Sequence, residues 1–89
     1  MLHVIAYDIP SDRRRSQVSF VLEGFGRRLQ YSVFECDLTK ERLAELRERT
    51  AKILVPSRDR LVVYRVCESC VQHRRSVGRT LSNPETIVL

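Results

Sequence analysis

Three stretches of the chain show the residue types and the spacing of apolar positions that are typical of β-strands. Residues 2–7 are mostly apolar and rich in strand-forming residues, which predicts a central strand buried on at least one face. Residues 27–38 are rich in Tyr, Val and Phe and long for one strand, so we predict two strands with a tight reversal near Tyr31 and Ser32. Residues 60–66 form the clearest strand in the chain.

Helical spacing of apolar residues occurs between these strands. Ser11 is a candidate N-cap for a first helix, and Gly24 and Gly26 end it. Its apolar positions recur at i, i+3, i+4 and i+7 and are Val18, Val21, Leu22 and Phe25. Thr39 is the candidate cap of a second helix, which Pro56 is expected to stop. The apolar face of this helix consists of Leu43, Leu46, Thr50, Ile53 and Leu54.

The order of these elements predicts one α+β domain over residues 1–89, with the ferredoxin-like order βαββαβ and a short C-terminal strand at residues 86–89. In that fold an antiparallel sheet carries both helices on one face. The other face would expose apolar residues, and pairing with a second copy would bury them. We therefore expect a homodimer, in which the C-terminal strand can extend the sheet of the partner.

The charge of the chain indicates a polyanionic partner. The formal net charge is +5, and fourteen of the sixteen basic residues are arginine, with only Lys40 and Lys52 as lysines. Guanidinium groups stay ionised and bind phosphate oxygens in pairs, so an arginine-rich surface favours nucleic acid, DNA or RNA. Codon bias in a GC-rich genome, or adaptation to heat, is the alternative explanation of the arginine content.

The N-terminal residues and the cysteines indicate a cellular compartment. Residues 1–10 have no basic segment followed by a long apolar stretch, so we expect neither a leader peptide nor membrane association. Cys36, Cys67 and Cys70 are three cysteines, an odd number that argues against a secreted disulfide framework. We therefore expect a cytoplasmic protein with free thiols.

Asp8 is the best candidate for a catalytic and metal-binding residue. It directly follows the first strand, and Arg13, Arg14 and Arg15 come shortly after it. A carboxylate suits Mg²⁺ or Mn²⁺, and nearby arginines can hold the phosphodiester on which such a metal acts. One carboxylate is a poor site, but a two-fold axis would bring two copies of Asp8 together. Alternatively, Asp8 caps the following helix or pairs with an arginine.

Cys67, Cys70 and His73, with Cys36, include the ligand types of a zinc site, and the Cys-x-x-Cys spacing suits one half of it. A single such pair is a weak signal, so zinc is the minor interpretation.

A basic stripe is a second candidate contact for phosphates. It would consist of Arg58, Arg60, Arg74, Arg75 and Arg79. A solvated polar face explains the same residues equally well.

Two segments resemble the CRISPR-associated protein two family. They are Tyr-Asp-Ile at residues 7–9, with the arginines after it, and Arg-Leu-Gln-Tyr-Ser-Val-Phe-Glu at residues 28–35. The chain length, the order of elements and the apolar C-terminus agree with the family as well. The resemblance implies a homodimeric ferredoxin-like protein of CRISPR adaptation, the acquisition of new spacers. It also implies a partner, the integrase of the CRISPR-associated protein one family, whose subunits the dimer bridges.

The resemblance also implies roles for individual residues. Asp8 matches the metal-binding aspartate of the family, and Tyr7 matches its neighbour. Arg15, Arg28 and Phe34 match positions linked to activity in some members. We group Arg28 and Phe34 with Arg13, Arg14 and Arg15 as candidate nucleic-acid contacts, although an aromatic residue inside an alternating strand more often belongs to the core.

Three functions remain open at this stage. The first is a Mg²⁺- or Mn²⁺-dependent endonuclease on RNA or DNA, and the second is a non-catalytic nucleic-acid-binding scaffold. The third is a toxin-like ribonuclease of the related virulence-associated family. A general RNA-recognition module is disfavoured, because the paired aromatic motifs of such modules are missing from the predicted central strands.

Overall fold

The computed structural model describes residues 1–67 and residue 69, and within them four strands and two helices follow one another in the order βαββαβ. The elements are β1 (Leu2–Asp8), α1 (Asp12–Glu23), β2 (Arg27–Gln30), β3 (Val33–Asp37), α2 (Lys40–Ala51) and β4 (Arg60–Val66). The predicted α+β fold is thereby confirmed. The C-terminal strand predicted at residues 86–89 lies outside the described residues.

The four strands form one antiparallel sheet in the order β2-β3-β1-β4. The first strand is therefore central, as its apolar sequence predicts. The pairing of β1 with β3 runs from Leu2 opposite Asp37 to Ala6 opposite Val33. The pairing of β1 with β4 continues to the end of β1, where Asp8 lies opposite Arg60.

Both predicted caps begin helices. The hydroxyls of Ser11 and Thr39 accept hydrogen bonds from the backbone N–H three residues later, each at 3.2 Å. The second helix ends at Ala51, five residues before Pro56, so the predictions that Pro56 stops it and that Ile53 and Leu54 lie on its apolar face are wrong. The chain after it is held by a different contact, because the Asp59 carboxylate accepts the N–H of Val55 at 2.9 Å. Within residues 1–67, neither helix is long and apolar enough to cross a membrane.

The core lies between the sheet and the two helices. Alternate residues of β1 are buried there, namely His3, Ile5 and Tyr7. They pack with the largest fully buried side chains, which include Phe34, Leu22, Leu46 and Val18. This alternation follows from the strand geometry, since successive side chains point to opposite faces of a sheet.

The opposite face of the sheet, here called the open face, is covered by no described element. It carries Leu2, Val4 and Ala6 of β1 together with their neighbours across the sheet, which are Val62, Tyr64 and Val66 on β4 and Val33, Glu35 and Asp37 on β3. Tyr64 is 55% exposed there. Glu35 forms an ion pair with Arg27 of β2 at 2.9 Å, and the rest of the centre of this face is apolar.

Candidate functional site

The candidate site lies at the end of the sheet where β1 stops. Asp8 is exposed and lies on the same face of β1 as Leu2, Val4 and Ala6. Its cross-strand neighbour on β4 is Arg60. On the β3 side of β1, the N–H of Tyr7 donates to the carbonyl of Ser32 at 3.1 Å. The hydrogen bonding between these strands therefore continues one residue beyond the pair of Ala6 and Val33. Tyr31 precedes Ser32 in the turn between β2 and β3 and therefore lies at the same end of the sheet as Asp8. We call Tyr31, Asp8 and Arg60 the end row.

Three charged side chains near this end have no partner within the described part of the chain. Asp8, Arg13 and Arg60 are exposed, and none of them makes a side-chain hydrogen bond or an ion pair with another described residue. Asp8 and Arg60 remain unpaired although they are cross-strand neighbours. Within the described residues, no ion pair therefore neutralises these three charges.

A divalent cation fits this end only if ligands come from elsewhere. Within residues 1–67 and 69, no three potential ligands of the His, Cys, Asp and Glu types lie together. Mg²⁺ commonly takes one or two protein carboxylates and completes its coordination with waters and substrate phosphates. An exposed, unpaired Asp8 suits that pattern, with a second copy of the chain as the source of a second carboxylate.

Arg14 has a structural partner. Its Nε and Nη2 donate to the two carboxylate oxygens of Asp59 at 2.7 and 2.9 Å, and the Asp59 side chain is fully buried. The hydrogen bonds from Arg14 hold the pKa of Asp59 below its ordinary value of 3.8, and the pKa of Arg14 is raised. This pair of hydrogen bonds, here called the fork, joins the start of α1 to the loop before β4. The Arg14 guanidinium, which was expected to contact nucleic acid, is therefore already bound to Asp59.

Arg15 is partly occupied as well. Its Nη1 donates to the backbone carbonyl of Ile9 at 2.9 Å, and its Nη2 contacts the exposed carboxylate of Asp12. The side chain keeps 43% exposure, and a guanidinium carries five donors, so one edge remains open to solvent. Of the three consecutive arginines, Arg13 is thus the one whose side chain makes no hydrogen bond or ion pair with another described residue.

Arg28 and Phe34 form a cluster with Tyr7 under the turn between β2 and β3. The Arg28 guanidinium lies 5.0 Å from the centre of the Phe34 ring, which stacks against the Tyr7 ring at 6.4 Å. Arg28 also contacts the hydroxyl of Ser19. Because Phe34 is fully buried, its ring cannot stack on a base in this conformation, and the core interpretation describes it better.

The fork between Arg14 and Asp59 predicts a pH-dependent stability. A carboxyl whose pKa is lowered in the folded state stabilises the fold above its ordinary pKa of 3.8 and loses that contribution as the pH falls through the folded value. Asp59→Asn should therefore be less stable than wild type at pH 7, and the gap should narrow below about pH 4. Denaturant unfolding of both proteins across this pH range measures the difference.

Asp12→Asn is the matched control for this experiment. Asp12 carries the same charge, pairs with Arg15 and is 92% exposed, so its loss should change stability little at any pH. A gap between Asp59→Asn and wild type that is as large at pH 3 as at pH 7 would contradict the electrostatic role of Asp59.

The cysteines do not form a metal cluster within the described residues. Cys36 is fully buried under Gly26, and burial together with the charge of Glu35 raises the pKa of its thiol to about 11. It is therefore a protonated core residue at neutral pH and a poor zinc ligand. Cys67 is exposed and contacts the Ser69 hydroxyl at 3.3 Å. Cys70 and His73, the other members of the predicted zinc set, lie outside the described residues.

Asp59 is the residue of this region that the sequence patterns did not single out as functional. Asp59 is one acidic residue between Arg58 and Arg60. Its contact with Arg14 joins residues 45 positions apart, so no pattern of neighbouring residues indicates it. Arg60 was expected only as part of a longer basic stripe. Of the other members of that stripe, Arg58 is exposed in the loop before β4, and those at positions 74, 75 and 79 lie outside the described residues.

Comparison with known proteins gives consistent matches. A family profile described as CRISPR associated protein Cas2 matches residues 1–74. A Synechocystis sp. protein named CRISPR-associated endoribonuclease Cas2 3 is 54% identical over 63 residues, which are 71% of this chain and 68% of the relative.

Solved structures match over most of the chain. A hypothetical protein from Thermus thermophilus has a TM-score of 0.81 and 37% identity, covering 89% of this chain and 92% of that one. A chain from a structure described as a partial Cas6-RT-Cas1–Cas2 complex has a TM-score of 0.71 and 26% identity, covering 92% of this chain and 97% of that one.

Proposed function

This chain belongs to the CRISPR associated protein Cas2 family, and from that membership we propose that it is a homodimeric, nucleic-acid-binding protein of CRISPR adaptation with metal-dependent endonuclease activity. The observation that carries the proposal is the exposed, unpaired carboxylate of Asp8, with the unpaired Arg60 beside it and Arg13 on the adjoining helix. The name endoribonuclease on the Synechocystis relative supports the nuclease activity.

Each residue of the site has a definite task in this proposal. Asp8 holds a Mg²⁺ or Mn²⁺ ion together with the Asp8 of the second protomer. When bound, the ion supplies Lewis acidity for phosphodiester hydrolysis. Arg60 and Arg13 bind phosphate oxygens and neutralise their charge, and Arg15 adds the donors that Ile9 and Asp12 leave open. Arg14 and Asp59 keep the loop before β4 in place.

The proposal predicts salt-dependent binding that depends on the unpaired arginines. Arg13→Ala with Arg60→Ala should weaken binding to DNA and RNA about tenfold or more at low salt, and should reduce the slope of log K against log salt by about two, because two phosphate contacts are lost. Fluorescence anisotropy at several salt concentrations, in EDTA to prevent cleavage, measures both effects.

Lys40→Ala with Arg47→Ala is the matched control, because it removes the same charge from exposed side chains of α2, away from the end row. We expect a much smaller change in affinity and slope. Equal losses in the two double variants would show that net charge, and not the position of the arginines, determines binding, and would contradict this site.

The homodimer is proposed from the open face. A chain of 89 residues buries a limited fraction of its surface, and the apolar centre of this face lies on the side of the sheet away from both helices. Face-to-face contact of two copies through this surface would bury Val4, Val62 and Tyr64 and bring the two Asp8 ends towards a common axis. A symmetric interface of this kind uses the same patch on both subunits.

A charge on the open face should break the dimer. Val62→Asp places a carboxylate at the apolar centre, where dimerisation would bury it unpaired, so we expect a monomer at micromolar concentration. Phe20→Asp is the control, because Phe20 is 73% exposed on α1 and should leave the oligomeric state unchanged. Sedimentation velocity measures both. A wild-type monomer at these concentrations would contradict the dimer and the site with two carboxylates.

A second candidate function is a purely structural adaptor. The structural match to a chain from a partial Cas6-RT-Cas1–Cas2 complex favours an integrase of the CRISPR-associated protein one family as the partner. In this alternative the dimer holds DNA between integrase subunits and cuts nothing. Binding of the integrase by a variant that has lost cleavage would separate the two functions.

A further inference from the structure

Tyr31 has the most exposed ring among the large hydrophobic residues in the described part of the chain. Its exposure is 84%, compared with 73% for Phe20 and 55% for Tyr64. It occupies the turn between β2 and β3, at the same end of the sheet as Asp8. An aromatic ring presented to solvent at this end of the sheet is a feature that the proposed metal site does not use.

Hydrogen bonds from Tyr7 and Arg28 hold the backbone of this turn. The carbonyl of Tyr31 accepts hydrogen bonds from the Tyr7 hydroxyl at 2.9 Å and from Arg28 Nη1 at 2.8 Å. The next carbonyl, that of Ser32, accepts the Tyr7 N–H at 3.1 Å. Arg28 and Tyr7 are themselves held by the buried Phe34 ring. These contacts hold the backbone of Tyr31 in one conformation, which lowers the conformational entropy that binding must remove.

We infer that Tyr31 is a base-stacking residue that binds an unpaired base of single-stranded nucleic acid, at the same end of the sheet as the phosphate that Arg60 binds. This inference rests on the proposed function, since the base and the phosphate belong to one bound strand. Every base has a π-face, so a stacking contact of this kind tolerates any sequence, and it needs a base that is not paired in a duplex.

The placement of the other aromatic residues supports a single stacking position at this end. Phe34 and Tyr7 are buried in the core, and Tyr64 lies on the open face, which the proposed dimer covers. Tyr31 is thus the aromatic residue of the end row that a nucleotide can reach. The cluster of Tyr7, Arg28 and Phe34 would then serve the site by holding the turn and not by touching the ligand.

The test compares single-stranded and double-stranded probes. Binding of a twenty-nucleotide oligo(dT) and of a twenty-base-pair duplex is measured in EDTA by anisotropy, for wild type, Tyr31→Ala, Tyr31→Phe and the control Phe20→Ala. Because the contact with one stacked base is lost, Tyr31→Ala should bind oligo(dT) about 5- to 150-fold more weakly and bind the duplex as wild type does. Tyr31→Phe keeps the ring and should retain the affinity.

Tyrosine emission gives a second readout. The chain has no tryptophan and three tyrosines, so its intrinsic emission comes from tyrosine. Stacking of thymine on Tyr31 should quench part of the wild-type emission. In Tyr31→Phe that part should be missing although oligo(dT) still binds, whereas the emission of Tyr7 and Tyr64 is retained.

The outcomes separate this inference from the proposed function. Wild-type protein that binds neither probe would overturn the nucleic-acid proposal and the stacking inference together. Equal affinity of wild type and Tyr31→Ala for oligo(dT) would overturn the stacking inference alone. A loss of duplex binding in Tyr31→Ala as large as the loss for oligo(dT) would also overturn it, because a base within a duplex cannot stack on this ring.

Discussion

Asp8→Ala is expected to lower Mg²⁺- or Mn²⁺-dependent cleavage of labelled RNA and DNA by at least about 100-fold, while the dimer and its partner binding remain. A change of that size corresponds to the ~2.7 kcal/mol of charge stabilisation that a bound cation readily supplies. Asp8 is exposed at the end of β1 and contributes no apolar area to the core, so the fold does not depend on it. The measurement is the cleavage rate of purified wild type and variant at equal concentration.

Thermal unfolding tests the same residue without catalysis. Mn²⁺ should raise the melting temperature of the wild type, because a ligand that binds only the folded state stabilises it, and should leave Asp8→Ala unchanged. Asp12→Ala is the matched control, since it removes a nearby exposed carboxylate that pairs with Arg15. Undiminished cleavage by Asp8→Ala would contradict the assignment of Asp8. Absence of cleavage by either protein, with nucleic-acid binding intact, would favour the adaptor function.

Gly26→Ala is expected to give the largest loss of stability. A Cβ atom at this position would lie 2.2 Å from the carbonyl oxygen of Glu35 and 2.8 Å from the Cα of Cys36. Both are backbone atoms of β3, so the clash is removed only if the segment after α1 moves away from the sheet. Overpacking of this kind costs about 1–3 kcal/mol or more, and for a domain of this size a loss of ~3 kcal/mol lowers the melting temperature by roughly 12–24 °C.

Gly24→Ala is the control for Gly26→Ala. Gly24 is the cap residue of α1 with an ordinary right-handed backbone, and the nearest atom to an added Cβ is the Val21 carbonyl oxygen at 3.3 Å. Its replacement should change the free energy of unfolding by less than about 0.5 kcal/mol, the range of ordinary surface substitutions. Similar losses in both variants would contradict the close packing of Gly26 on β3.

Local sequence patterns predicted the order of the elements, the starts of both helices and the position of Asp8 at the end of β1. Ser11 and Thr39 cap the two helices as predicted, and the reversal at Tyr31 and Ser32 separates two strands of one hairpin. These features depend on residues within four positions of one another, because helix periods, caps and tight turns are formed by neighbours along the chain. The position of Asp8 was predicted in the same way, because Asp8 directly follows an apolar run.

The sequence by itself therefore determined the order of the elements, the central strand and the carboxylate at its end, whereas the tertiary structure decided which neighbouring side chains are free. Consecutive arginines on a helix point in directions about 100° apart. Arg14 meets Asp59, 45 positions away, while Arg13 meets no described side chain. Phe34 could face a ligand or the core by its sequence, and packing under the helices buried it. Such contacts join residues that are distant along the chain, so only the folded arrangement of helices, sheet and loops determines them.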